Sequence, residues 1–325
     1  MNEPRASLLQ RIYRRLYWLP NDVRALATAR LPQHLIYFGG DGFGDDLLLT
    51  SVIMEFYRRG VRRLAVITRL AEIFDNFPFP LAVLDYRHWP TLDAMIRWRR
   101  RNTKPQYYRG FREPDIDVPG PGHIIGEMCR QTGIRGEVEL KTHIFLRPEE
   151  IARGRIVEHQ AAIQCMDRTS LNASLNKIWF TERYQAVVDQ NRHRLKFVQL
   201  GTVQDPALQG TIDLRGKTTI RESAAILANS EVFVGYVGFL MHLAHATGCR
   251  SVIIFGGREH PRQSGYICNE NLFTELPCSP CWRRHTCDWD RVCMQRIESH
   301  HATAAIDRVL ARRGEPLELA TELVE

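Results

Sequence analysis

The stretch Phe233-Val-Gly-Tyr-Val-Gly-Phe-Leu-Met-His-Leu-Ala-His245, continued by Ser251-Val-Ile-Ile-Phe-Gly-Gly257, decides the fold class. A short apolar run closes on glycines, a helix-forming Leu-Met-His-Leu-Ala-His-Ala follows, and a β-branched run closes on glycines again. That spacing predicts strand, turn, helix over 239–247 and strand, a βαβ unit whose helix N-terminus can hold a phosphate. Working outward, strands are expected at 162–166, 195–200, 231–234 and 251–255. Helices over 179–192 and 220–229 connect them, and another follows Ala302. Towards the N-terminus, His34-Leu-Ile-Tyr-Phe38 reads as a strand, Gly39-Gly-Asp-Gly-Phe-Gly-Asp-Asp46 as a glycine loop, and Leu47 onward as a helix. Leu64–Thr68 and Leu81–Leu84 add strands. The expected class is α/β, with two doubly wound parallel sheets built by right-handed crossovers.

At 325 residues and 44% hydrophobic, the chain has the length for two α/β domains of about 150 residues each. A helix near 148–161 leads from one to the other, so the domains are expected at 1–160 and 161–325. Residues 86–122, rich in Arg, Trp, Tyr, Pro and Gly, read as loops around one helix. Apolar residues at helical spacing over 6–19, with Arg11, Arg14 and Arg15 between them, predict an N-terminal helix closed by Pro20.

The formal charge of +7 is uneven: residues 1–113 hold 19 Lys and Arg against 11 Asp and Glu, and the rest hold 25 against 26. A basic first third beside a neutral remainder fits an anionic partner such as a phosphorylated lipid, a membrane surface or a nucleic acid. No stretch reaches the roughly 20 apolar residues that span a bilayer, and no cleavable apolar leader opens the chain. The expected location is therefore the cytoplasm, with the inner face of the membrane within reach of the basic third.

Eight cysteines in a reducing compartment are better suited to metal binding or packing than to disulfides. Cys129, Cys165, Cys249 and Cys268 stand alone and are expected in the core. Cys278, Cys281, Cys287 and Cys293 fall within 16 residues and would suit a tetrahedral site for one structural zinc or iron. The alternative is that several of these four are buried free thiols.

Three readings of function are open on residues alone. Gly40-x-Gly42-x-Gly44 after a strand could bind a dinucleotide, with Arg69 on a 2′-phosphate, as in an NADP-dependent oxidoreductase, although the spacing departs from G-x-G-x-x-G. The cysteine cluster could belong to a zinc-containing nucleic-acid-binding module, although it lies in the neutral part of the chain. The acids Asp45 and Asp46 at the start of a helix could act as a general base, or could simply complement the helix dipole.

Three segments favour a fourth reading. Gly44-Asp45-Asp46-Leu-Leu-Leu-Thr50, Asn176-Lys-Ile-Trp179 and Gly235-Tyr-Val-Gly-Phe-Leu-Met-His242 together resemble glycosyltransferase family nine, the heptosyltransferases of lipopolysaccharide synthesis. The resemblance covers roughly residues 34–310 and implies a GT-B architecture of two facing domains. It implies an inverting transfer, without a catalytic metal, of heptose or a related sugar from a nucleotide diphosphate donor to a cell-envelope glycan or protein. Asp45 would be the base. Gly44, Asp46, Lys177, Gly235, Gly238, Met241 and His242 would line the substrate sites, with Lys177 beside the donor diphosphate. Where the family has Asn, Asp and Ser, this chain has Tyr236, Val237 and Gly238, so the donor sugar is not carried over. A branch of the family that modifies autotransporters has an iron-binding cysteine motif in a similar region. The implied partners are a nucleotide sugar and an anionic glycan or glycolipid, with peripheral membrane contact and no nucleic acid.

Overall fold

The computed structural model describes residues 34–37, 43–85, 102–103, 108–113, 115–170 and 174–325. The helix expected over 6–19, Asp41 with the neighbouring loop glycines 39, 40 and 42, and the basic run from Arg97 to Arg101 lie outside them. In chain order the elements are β1 (His34–Tyr37), α1 (Phe43–Arg58), β2 (Leu64–Thr68), β3 (Leu81–Asp85), β4 (Asn102–Thr103), β5 (Tyr108–Glu113), β6 (Ile116–Pro119), α2 (Ile124–Gln131), β7 (Gly136–Glu139) and α3 (Pro148–Arg153). There follow β8 (Gln160–Ile163), α4 (Thr181–Asn191), β9 (Lys196–Gln199), β10 (Ile212–Asp213), α5 (Ile220–Ala228), β11 (Phe233–Tyr236), α6 (Phe239–Thr247) and β12 (Ser251–Gly256). The chain closes with α7 (Pro261–Ser264), β13 (Glu270–Phe273), α8 (Val292–Gln295), α9 (Ser299–Ala311) and β14 (Thr321–Val324).

Two parallel sheets organise these elements. The first has the order β3-β2-β1-β4 and the second β10-β9-β8-β11-β12-β13. Numbered within its own sheet, the second follows the 3-2-1-4-5-6 order of dinucleotide-binding folds, which reverses between β8 and β11. Helices cover both faces, so β2 and β12 are buried along their whole length and read as continuous apolar runs. One apolar cluster runs from Leu47, Leu48, Val52 and Ile53 of α1 through Leu240, Met241 and Leu243 of α6. A second, with Tyr184, Phe197, Val252 and Ile306, fills the far face of the six-stranded sheet. Because the first cluster is shared, α1 and α6 pack together and bring their first residues side by side, with the Phe43 and Phe239 rings 6.0 Å apart.

Local sequence explains the ends of these elements. Thr219 and Glu222 form a capping box at the start of α5, and Gly248 closes α6 in the left-handed region at φ 81°. The helix expected over 148–161 ends instead at Arg153. A side chain at Gly154 would stand 2.1 Å from the Ala225 carbonyl oxygen, so the backbone passes directly against α5. Residues 108–119, expected as loop, form the antiparallel hairpin β5–β6. The last strand, β14, returns to pair with β7 of the first half. No helix among the described residues is long and apolar enough to cross a membrane.

Candidate functional site

In open α/β sheets, ligands bind beyond the carboxyl ends of the strands where the strand order reverses. Both sheets place such a point on one cavity of about 790 Å³. From the first sheet come Phe43, Gly44 and Asp45, the opening residues of α1. From the second come Gln164 and Met166 after β8, Gly201 and Thr202 after β9, and Tyr236, Val237 and Gly238 at the turn from β11 into α6. The two walls nearly touch: a methyl group on Gly44 would lie 3.6 Å from the His242 ring.

Asp45, Gly44, Lys177, Gly238 and His242 all line this cavity. Asp46, Gly235 and Met241 do not. Asp46 is turned inward, where its Oδ1 accepts a hydrogen bond from the Thr68 hydroxyl at 2.8 Å. Burial raises its pKa to about 6, against the lowering effects of Thr68 and Arg69. Gly235 lies within β11, where an added side chain would strike the Phe233 ring, and Met241 is wholly buried in the core shared with α1.

His242 reaches the cavity edge but is buried. Its Nδ1 is hydrogen-bonded to the Tyr266 hydroxyl at 2.7 Å, and burial, reinforced by His123, lowers its pKa to about 3. It is therefore a neutral group at physiological pH and supplies no charge to an anion. Behind it, His245 stacks flat on Tyr266 at 3.6 Å, and the Thr142 hydroxyl donates to the His242 carbonyl oxygen at 2.8 Å.

Charge at the cavity comes instead from a cluster that includes residues the sequence reading passed over. Lys177 Nζ lies 2.6 Å from Glu259 Oε1 and 3.4 Å from the Val237 carbonyl oxygen. Glu259 also receives the Arg258 guanidinium and, at 3.0 Å, the Ser264 hydroxyl. Arg258 reaches on to Asp117 of β6, and Asp117 takes Arg284 Nη2 at 2.7 Å on its other oxygen. Burial alone would raise the Glu259 pKa, but Lys177 and Arg258 outweigh it and hold the carboxylate at about 2. A sequence signal for two of these residues existed: Arg258 and Glu259 are adjacent charges just beyond the carboxyl end of a buried strand.

The cysteine segment forms the floor beneath this cluster. Cys278, Cys281, Cys287 and Cys293 line a second cavity of about 310 Å³, which shares Arg258 with the first. Among the described residues, no group of three or more His, Cys, Asp or Glu is arranged to hold a metal ion, which departs from the tetrahedral arrangement expected of the cluster. Burial raises the Cys281 and Cys293 thiols above their ordinary range. The segment is docked firmly. Asp117 N donates to Trp282 O at 3.1 Å and Arg284 N to Asp115 O at 2.9 Å, while the Asn176 side-chain amide donates to Arg283 O and Thr286 O. The isolated Cys129, Cys165, Cys249 and Cys268 are buried free thiols, as their spacing suggested.

No protein-family model matches the chain, and no curated protein matches it in sequence. Solved structures do. A family 9 glycosyl transferase from Veillonella parvula aligns with TM-score 0.61 at 14% identity, over 86% of this chain and 97% of that one. The iron-containing dodecameric glycosyltransferase TibC from enterotoxigenic Escherichia coli aligns at 0.63 and 16%, over 85% and 75%. ADP-heptose lipopolysaccharide heptosyltransferase II from E. coli aligns at 0.62 and 13%, over 86% and 99%. TibC has also been solved in complex with ADP-D-β-D-heptose. At these identities the likeness is one of fold: the chain has the GT-B architecture, two doubly wound units around one cavity.

Proposed function

We propose that the protein is a glycosyltransferase that moves a sugar from a nucleotide diphosphate donor to a hydroxyl of a cell-envelope glycan or protein. The observation that carries this reading is the shared cavity. A carboxylate from the first sheet, Asp45, and an ammonium from the second, Lys177, line the same space together with Gly238, which starts α6.

Transfer to a hydroxyl needs a group to accept its proton as the new bond forms, and Asp45 is the carboxylate at the first-sheet wall. The departing nucleotide diphosphate gains charge, which Lys177 and the backbone amides opening α6 would neutralise. Attack from the Asp45 side, opposite the departing diphosphate, would invert the sugar's configuration, and neither step as written requires a metal. Tyr236 overhangs Gly238, where a methyl group would stand 3.1 Å from its ring, so the polar donor contacts expected of the family are replaced by an aromatic wall. With those contacts replaced, the identity of the donor sugar is not carried over from the family.

Boundaries near residue 160 suit this division of labour, with the acceptor on the 1–160 side and the donor on the 161–325 side. The four cysteines are proposed to bind one structural zinc or iron. Their support is the donor set, four thiols on one small cavity, together with a fold neighbour described as iron-containing. A metal there would staple the segment that carries Arg283, Arg284 and Thr286, against which Asn176 and Lys177 are positioned. A cytoplasmic enzyme whose basic first third meets an anionic acceptor at the membrane face completes the proposal.

The direct test is a thermal-shift and product-release screen over nucleotide diphosphate sugars. A donor should raise the melting temperature by mass action and release nucleoside diphosphate when acceptor is added. No stabilisation by any nucleotide sugar would overturn the reading.

A further inference from the structure

We propose that Glu259 is the positioning residue of this cavity: backed by Arg258 and Asp117, it holds the Lys177 ammonium at the wall for the diphosphate of the donor. The proposal rests on the donor-side reading of Lys177 given above, and adds to it a tether that spans three distant segments of the chain.

Lysine ends in a compact charge on a flexible four-carbon stem, and such a stem adopts many rotamers unless something fixes it. Here Glu259 Oε1 fixes it at 2.6 Å, with a weaker contact to Val237 O at 3.4 Å. Glu259 is itself pinned. Its side chain is 5% exposed, its Oε2 accepts from Ser264 at 3.0 Å, and Arg258 occupies Oε1 alongside the lysine. Arg258 is 3% exposed and held in turn by Asp117, whose side chain is fully buried in the β5–β6 hairpin. The hairpin, the turn after β12 and the Leu175–Lys177 turn thus meet through side-chain charges, and all four residues line the cavity.

Electrostatics alone makes the opposite prediction, which gives the proposal its sign. A carboxylate beside an anion site repels the anion, so its removal should tighten diphosphate binding. Positioning predicts weaker binding, because Lys177 is released from the wall.

The experiment titrates ADP and inorganic pyrophosphate calorimetrically into the wild type, Glu259→Gln, Lys177→Ala and the double variant. Glu259→Gln should weaken binding about tenfold, and in the Lys177→Ala background it should have no further effect, because coupled residues are non-additive. Glu259→Asp, which keeps the charge, should recover most of the loss. Equal or tighter binding by Glu259→Gln overturns the proposal, and so does an equal loss in both backgrounds. Should Glu259→Gln fail to fold, Ser264→Ala loosens the same carboxylate mildly and should weaken binding about threefold, again only when Lys177 is present. If the wild type binds neither probe, the donor-side reading of Lys177 falls on its own. The tether is then decided by amine acylation of Lys177, followed by peptide mass spectrometry: faster labelling in Glu259→Gln supports it, and an unchanged rate overturns it.

Discussion

The Asp46 carboxylate accepts a hydrogen bond from the Thr68 hydroxyl at 2.8 Å and so faces away from the cavity that its neighbour Asp45 lines. Two adjacent acids on one helical turn are thereby given different surroundings, one turned into the fold against Thr68 and one on the cavity wall.

Asp46 is held against its own ionisation. Burial raises its pKa from 3.8 to about 6, so the folded state binds the proton more tightly than the unfolded chain. The resulting penalty is absent below pH 4, grows as pH rises through 6 and is complete at pH 7.5, on the order of 3 kcal/mol. Asp46→Asn keeps an acceptor for Thr68 and removes the charge. It should melt higher than the wild type at pH 7.5, with the difference vanishing near pH 4. A variant that melts lower at pH 7.5 would show that the carboxylate is stabilising.

Four buried histidines set the opposite trend in acid. Burial lowers His123 to about 4, His143 and His242 to about 3, and His245 well below its ordinary value. The unfolded chain protonates them near 6.5, so their contribution is full above that pH and drains as pH falls towards the folded values. Each costs about 1.4 kcal/mol per pH unit within that window. Denaturant unfolding should show stability falling steeply between pH 6 and pH 4, and His143→Gln should flatten the slope by about one proton. Identical slopes in the two proteins would contradict the assignment.

Lys177→Ala should raise the KM for the nucleotide-sugar donor more than it alters the KM for the acceptor, because the ammonium lies on the second-sheet wall. Steady-state kinetics with both substrates varied will read this. Donor and acceptor constants that change together, or neither changing, would remove Lys177 from the donor site.

The cysteine segment should carry metal. Protein purified without added metal should show about one zinc or iron per chain on elemental analysis, and Cys281→Ser should lower both the metal content and the melting temperature. Metal-free protein with four titratable thiols in this segment would leave the cysteines as free thiols, two of them exposed.

The two parallel sheets were legible because buried strands read as apolar, β-branched runs, and α6 was placed at 239–247 from a helix-forming run that follows a glycine turn. Asp45, Lys177 and Gly238 became candidates through the resemblance to family nine, each lying in one of the three segments that carry it. What local pattern could not show was contact at long range. Asp117 gave no signal because its function here is to accept Arg258 and Arg284 across the fold, and the hairpin that carries it is short and irregular in register. From the residues alone, without the resemblance, Asp46 and Asp45 could not be told apart until Thr68, a residue of the next strand, was placed beside one of them.

The proposed role of Asp45 is to take the acceptor proton in a sugar transfer. It is tested most directly by the rate of nucleoside diphosphate release, with donor and acceptor saturating, in the wild type, Asp45→Asn and Asp46→Asn. Asp45→Asn should lose about 10² or more in turnover with donor affinity unchanged, and Asp46→Asn should stay within a few-fold of the wild type. Turnover of Asp45→Asn within a few-fold of the wild type would contradict it.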